Sequence, residues 1–248
     1  NVWMTAVAAW LSGPQWKLCA DPSLGWDEFK GRDCWIGLDL ADKDDITAAV
    51  LAAFDDAGRL IFKPKFWLPE AVLQQPEHRD GRSAAHYREW SQKGFLDLTP
   101  GDWVDHGKVE DTVRDWIEKY SVRRVTFDQF AAGQLMASRL NEDLATTDRP
   151  LAYILHKKAA NVTDPAKDLE ARVKSGPSRL RHDDNPIMNW MAGNACVQPR
   201  RDGTILPVKE TSSSPNKIDG IDALINAIHP ATVLIEEAPV ADVGAMIA

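Results

Sequence analysis

Gly31–Arg32–Asp33–Cys34–Trp35–Ile36–Gly37–Leu38–Asp39–Leu40 is a polar turn followed by an apolar run that contains one acid, Asp39. The run reads as a strand over residues 34–40. A carboxylate in a buried strand is costly unless it is paired or bound to metal. Asp39 is therefore either a ligand or a strand-end residue facing solvent. A second apolar strand is expected over 46–54. Asp55–Asp56–Ala57–Gly58 is an Asp/Gly turn signal. A third strand is expected over 60–68, with Lys63 and Lys65 on one face and Phe62, Pro64 and Phe66 on the other. Three strands joined by short links imply an antiparallel meander.

Beyond the meander, helices and strands are expected to alternate. Helical stretches cover 82–93, 109–120 and 131–144. Short strands are expected over 122–127, which ends at Asp128, and over 151–155. Residues 164–174 carry helical spacing, with Asp164 and Pro165 as cap and first turn. Segments 195–199 and 205–208 flank Arg200–Arg201–Asp202–Gly203–Thr204 and predict a β-hairpin. The last clear helix spans 218–228 and stops before Pro230. Near the start, residues 2–11 suit a short helix. The order predicts an α/β fold, a mixed sheet with helices on both faces and an added hairpin.

Two more acids resemble Asp39 in setting. Val125–Thr126–Phe127–Asp128 is a strand whose apolar stretch ends in a carboxylate, and ligand sites in α/β sheets favour strand ends. Asp219 begins the last helix, where an acid also serves to offset the helix dipole. Asp222 lies three residues on and shares its face; it is an additional ligand or, preferably, a solvated helix residue. Asp45 is an outer-shell acid or a turn residue. Acids on two strands and a late helix can hold two divalent cations. Oxygen donors suit Mg²⁺ or Mn²⁺, and no His/Cys cluster points to zinc. Two such ions can activate water, orient a phosphate and stabilise a leaving oxygen.

Bulk properties narrow the class. The chain has 248 residues, 44% apolar and 27% charged, in the range of globular proteins. No apolar run has the ~18 residues of a membrane span. No secretory signal is seen in residues 1–16. Three scattered cysteines suit a reducing cytoplasm. The net charge of −8 argues against a nucleic-acid partner when taken alone. Residues 156–217 nevertheless carry 11 Lys and Arg against 7 Asp and Glu.

The motifs resemble the C-terminal nuclease half of the large terminase subunit of tailed phages. The 30–40 stretch looks like that family's first catalytic strand, continued by Asp45–Ile46–Thr47–Ala48. Phe66–Trp67–Leu68–Pro69, Thr99–Pro100–Gly101–Asp102–Trp103–Val104–Asp105 and Thr126–Phe127–Asp128 also resemble family segments. So do the block from His182 through Asn185–Pro186, Trp190–Met191 and Asn194, and Lys217–Ile218–Asp219–Gly220. The resemblance covers about residues 10–229. It implies an RNase H-like fold and cutting of double-stranded concatemeric DNA with two Mg²⁺ or Mn²⁺ ions on Asp39, Asp128 and Asp219. It also implies a small terminase subunit, a portal protein and an ATPase domain on the same polypeptide as partners, in the host cell cytoplasm. No G-x-x-x-x-G-K-[ST] loop is found, so neither ATP hydrolysis nor DNA translocation is expected of this chain.

In this reading residues 1–30 are a lead-in, 31–229 the nuclease domain and 230–248 a tail. Local negative charge is then natural, because bound cations offset it. Candidate phosphate contacts are Arg200, Arg201, Lys209, Lys217 and Arg181, with Lys157, Lys158, Lys174 and Arg179 behind them. Simple solvation is the more frequent role for such residues. His182, next to Asp183 and Asp184, suits a structural hydrogen bond better than a general base. Two rivals remain: a resolvase, transposase or RNase H-type enzyme on the same fold, and a non-catalytic docking module motivated by the apolar tail.

Overall fold

The computed structural model describes residues 8–74, 84–129, 131–144, 150–211 and 214–233. The chain starts with β1 (Ala8–Ala9) and α1 (Gly13–Leu18), followed by β2 (Asp33–Asp39), β3 (Thr47–Phe54) and β4 (Leu60–Pro69). Next come α2 (Glu70–Gln74), α3 (Ala84–Gln92), β5 (Asp97–Thr99), α4 (His106–Lys119) and β6 (Ser121–Phe127). The second half holds α5 (Ala131–Leu144), β7 (Ala152–Ile154), α6 (Ala159–Ser175), β8 (Leu180–His182) and α7 (Pro186–Asn194). It closes with β9 (Cys196–Pro199), β10 (Ile205–Val208) and α8 (Asp219–Val233).

The expected meander is present. β2 pairs antiparallel with β3, and β3 with β4. β6 then joins β2 in parallel, and β7 joins β6 in parallel. On the far side β4 is flanked in parallel by β5 at one end and β8 at the other. β3 is central and buried on both faces: Ala48, Val50 and Ala52 enter one core, Ala49, Leu51 and Ala53 the other. Such two-sided burial calls for a continuous apolar run rather than alternation. The β3–β4 turn is held by Asp55 Oδ1, which accepts from the amides of Ala57 and Arg59 at 3.0 and 2.9 Å. Gly58 there has φ 71°, a conformation glycine adopts without strain.

Helices cover both faces. α1, α3, α6, α7 and α8 pack on one side through Trp16, Tyr87, Leu169, Ile187 and Leu224, and α4 and α5 on the other through Val113, Trp116 and Leu140. β9 and β10 form the expected hairpin, and β1 pairs with β9.

Several expectations need correction. The helix expected over 2–11 falls partly outside the described residues, and Ala8–Ala9 is a strand; the helix follows at Gly13–Leu18. Within the segment expected as a lead-in, Trp16, Leu24 and Phe29 are core residues. α6 starts at Ala159, so Pro165 lies inside it rather than in its first turn. α8 runs through Pro230 to Val233, past the expected stop and past the 229 boundary. β8 and α7 were not expected as elements. α7 had a local signal: Asn185 Oδ1 caps the amides of Ile187 and Met188, and Pro186 occupies the first turn. No described helix is long and apolar enough to cross a membrane.

Candidate active site

Parallel β2, β6 and β7 end on the same side of the sheet. Their ends deliver Asp39, Asp128 and the segment from Leu155 to Lys157. Side chains alternate along a strand, so Asp39 shares the face of Gly37, toward α8. A Cβ at Gly37 would lie 2.0 Å from the Ala223 carbonyl oxygen and 2.2 Å from the Ala227 amide nitrogen. Glycine thus lets the helix backbone rest directly on the strand. Asn226 Nδ2 donates to the Leu38 carbonyl at 2.8 Å and fixes the helix there. This docking brings Asp219 and Asp222, in the first turn of α8, beside Asp39.

The result is a cleft of about 580 Å³ lined by Asp39, Asp45, Asp128, Asp219 and Asp222 together with Lys157, Lys209, Gln129 and Asn226. The loop bearing Asp45 is tied down. His106 Nε2 donates to the Ala41 carbonyl at 2.9 Å, and the Val104 amide donates to Asp42 O at 3.0 Å. Ala41 N also donates to Thr47 Oγ1 at 2.9 Å.

Charge dominates this cleft. Burial, then repulsion from Asp222, Asp219 and Asp128, holds the Asp39 carboxyl well above the usual carboxylate range. Burial and then Asp45 push Asp219 up to about 7. Lys157 pairs with Asp222. Burial alone would lower the Lys157 ammonium, but Asp222 and Asp39 raise it above its ordinary value. Lys217 Nζ lies 2.8 Å from Asp45 and Lys209 Nζ 3.8 Å from it. Asp219 Oδ2 is buried without a hydrogen-bond donor among the described residues. Among the described residues no three His, Cys, Asp or Glu side chains form a ready-made metal cage.

The expected residues fare differently. Asp39, Asp128, Asp219, Asp45 and Asp222 all line the cleft. Asp222 is buried, so the preferred reading of it as a solvated helix residue is corrected. Lys209 borders the cleft, but Lys217 has a side chain only 1% exposed and is bound to Asp45, which removes it from the exposed cations. Arg181 is also corrected: it sits in β8, and its guanidinium is engaged by Asp21 and Glu28 with Asp55 at 3.6 Å. Arg200 and Arg201 are exposed at the hairpin turn, away from the cleft lining. His182 is buried between Trp16 and Phe62, with Nε2 donating to the Trp16 carbonyl at 3.0 Å, a structural role. Lys157, a candidate phosphate contact by sequence, instead meets Asp222, 65 residues away along the chain, and no local signal ties it to the acids.

A family model for the terminase large subunit, endonuclease domain, matches residues 1–234. The chain belongs to this family. It is a terminase large-subunit nuclease domain with an RNase H-like fold. It is 33% identical over 249 residues to Protein YmfN of Escherichia coli (strain K12), covering 98% of this chain and 52% of that protein. It is 28% identical over 238 residues to the terminase large subunit of Enterobacteria phage HK97, covering 96% and 44%. The chain therefore spans about half the length of these relatives. The crystal structure of the HK97 bacteriophage large terminase superposes with a TM-score of 0.74 at 25% identity, over 90% of this chain and 44% of that one.

Proposed function

We propose that this terminase nuclease domain cuts double-stranded DNA with a pair of divalent cations, trimming concatemeric genomes during packaging. The observation that carries this reading is the gathering of five carboxylates, from β2, the loop after it, β6 and α8, around one cleft. Burial and then mutual repulsion raise Asp39 and Asp219, a cost that bound cations would offset. The donors are all oxygen, which fits Mg²⁺ or Mn²⁺. The buried Asp219 Oδ2, without a donor among the described residues, is a ready acceptor for such an ion.

Asp39, Asp128 and Asp219 would hold the cations, with Asp222 as a fourth acid. When bound, a divalent pair polarises water and neutralises charge on the phosphate. Asp45, held by Lys217, lines the same cleft and adds negative charge felt by Asp219. Lys209 at the cleft edge supplies a phosphate contact, and Arg200 and Arg201 are free to meet the duplex further out. In this reading the domain works with an ATPase domain, a small terminase subunit and a portal protein.

A plasmid assay tests the proposal. Cleavage with Mn²⁺ or Mg²⁺, none with EDTA, and none from Asp39→Ala are expected. Cutting that survives Asp39→Ala rejects the assignment, and a preference for branched DNA or RNA–DNA hybrids moves it to another RNase H-like enzyme.

A further inference from the structure

Two of the lysine–aspartate pairs at the cleft differ in how they are held. Lys217, paired with Asp45, is 1% exposed along its side chain and locked in the core. Lys157, paired with Asp222, is 40% exposed along its side chain, although its partner's is 10% exposed. Its ammonium bonds Asp222, and the residue lines both the acid cleft and the adjoining groove of Leu206, Val208 and Glu210. The backbone beneath is anchored: Leu155 N donates to Phe127 O at 2.7 Å and Lys158 N to His156 O at 2.7 Å. His156 Nδ1 meets Gln129 Oε1 at 2.9 Å, which ties the segment to the residue after Asp128. The side chain can therefore leave the acids by rotating about its own bonds, without disturbing the sheet.

We propose that Lys157 is the resident counter-cation of the carboxylate cluster, occupying Asp222 until a divalent ion takes that carboxylate over and releases the ammonium to the cleft mouth. The inference rests on the metal-binding reading above. Lys157 is bonded to Asp222 and lines the same cleft as Asp39, Asp128 and Asp219, so its ammonium balances the group rather than one acid. Metal binding then has the character of ion exchange. Two cations compete for one set of oxygens, and the tethered one must move. The arrangement also accounts for a cleft rich in acids that nevertheless shows no closed cage among the described residues: Asp222 is turned to Lys157.

The test reads metal affinity, not cleavage. Mn²⁺ is titrated calorimetrically at pH 8 into wild type, Lys157→Met, Lys157→Gln and Lys157→Arg, and each is melted in EDTA and in Mn²⁺. Removing a unit charge from beside the site should tighten Mn²⁺ binding by about tenfold in the neutral variants. Their metal-free melting temperature should fall while the Mn²⁺-induced shift grows. Lys157→Arg, which keeps the charge, should stay near wild type. If Lys157→Met does not fold, Lys157→Gln provides the same comparison with a polar side chain. Unchanged or weaker Mn²⁺ binding in the neutral variant overturns the counter-cation role. A wild-type protein that binds no Mn²⁺ overturns the metal reading itself, and this inference with it.

Discussion

Gly37 and Ala227 are in backbone contact: a Cβ on Gly37 would fall 2.8 Å from the Ala227 Cα and 2.2 Å from its amide nitrogen. This approach seats α8 on β2 and brings two helix acids to Asp39. Gly37→Ala must push helix and strand apart, because neither neighbour is a flexible side-chain end. The expected cost is about 3 kcal/mol, read by urea denaturation, with loss of cleavage beyond what the lower stability explains. A variant as stable and active as wild type would show that the close approach is dispensable.

Asn226 adds the polar half of the same joint through its bond to the Leu38 carbonyl. Asn226→Leu leaves that buried oxygen without its amide donor. A loss of about 1–3 kcal/mol is expected, together with weaker Mn²⁺ binding, since the first turn of α8 is then less firmly placed. Calorimetry and denaturation on one preparation separate the two effects.

Asp39→Asn is expected to abolish cleavage and raise the metal-free melting temperature. It removes a carboxylate whose ionised form is disfavoured by burial and by Asp222, Asp219 and Asp128, the usual conflict between function and stability at an active site. A drop in melting temperature in EDTA would argue that Asp39 is engaged in a stabilising pair instead.

Asp219 has a consequence for pH. Its ordinary value is 3.8, and in the fold it titrates near 7. Between those values the folded protein keeps a proton that the unfolded chain has lost. Stability must therefore fall as pH rises from about 4 to about 7, and this contribution levels off above that. Melting in EDTA at intervals between pH 5 and pH 8.5 should show this decline. Mn²⁺ should restore stability most at the alkaline end, where the carboxylates are ionised.

Arg181 and Lys209 should separate stability from DNA contact. Arg181→Ala removes the cation shared by Asp21 and Glu28 and should cost about 2 kcal/mol with no change in duplex affinity. Lys209→Ala should weaken duplex binding and lower its salt dependence with little effect on melting. Fluorescence anisotropy at two salt concentrations distinguishes them. Weakened DNA binding by folded Arg181→Ala would return that residue to the interface.

The local pattern of the chain determined the meander, the hairpin and the acids at strand ends, because strand period, turn residues and an isolated charge in an apolar run are short-range signals. The N-cap at Asn185 is an equally local signal for α7. Tertiary structure alone decided which charges are buried and with whom. Lys157 meets Asp222 across 65 residues and Arg181 meets Asp21 across 160, and no window of sequence contains both partners. The same holds for Gly37, whose missing side chain has meaning only once α8 lies against it. A charged residue is solvated or buried according to the partner that folding brings to it, and that partner is fixed by packing rather than by sequence neighbours.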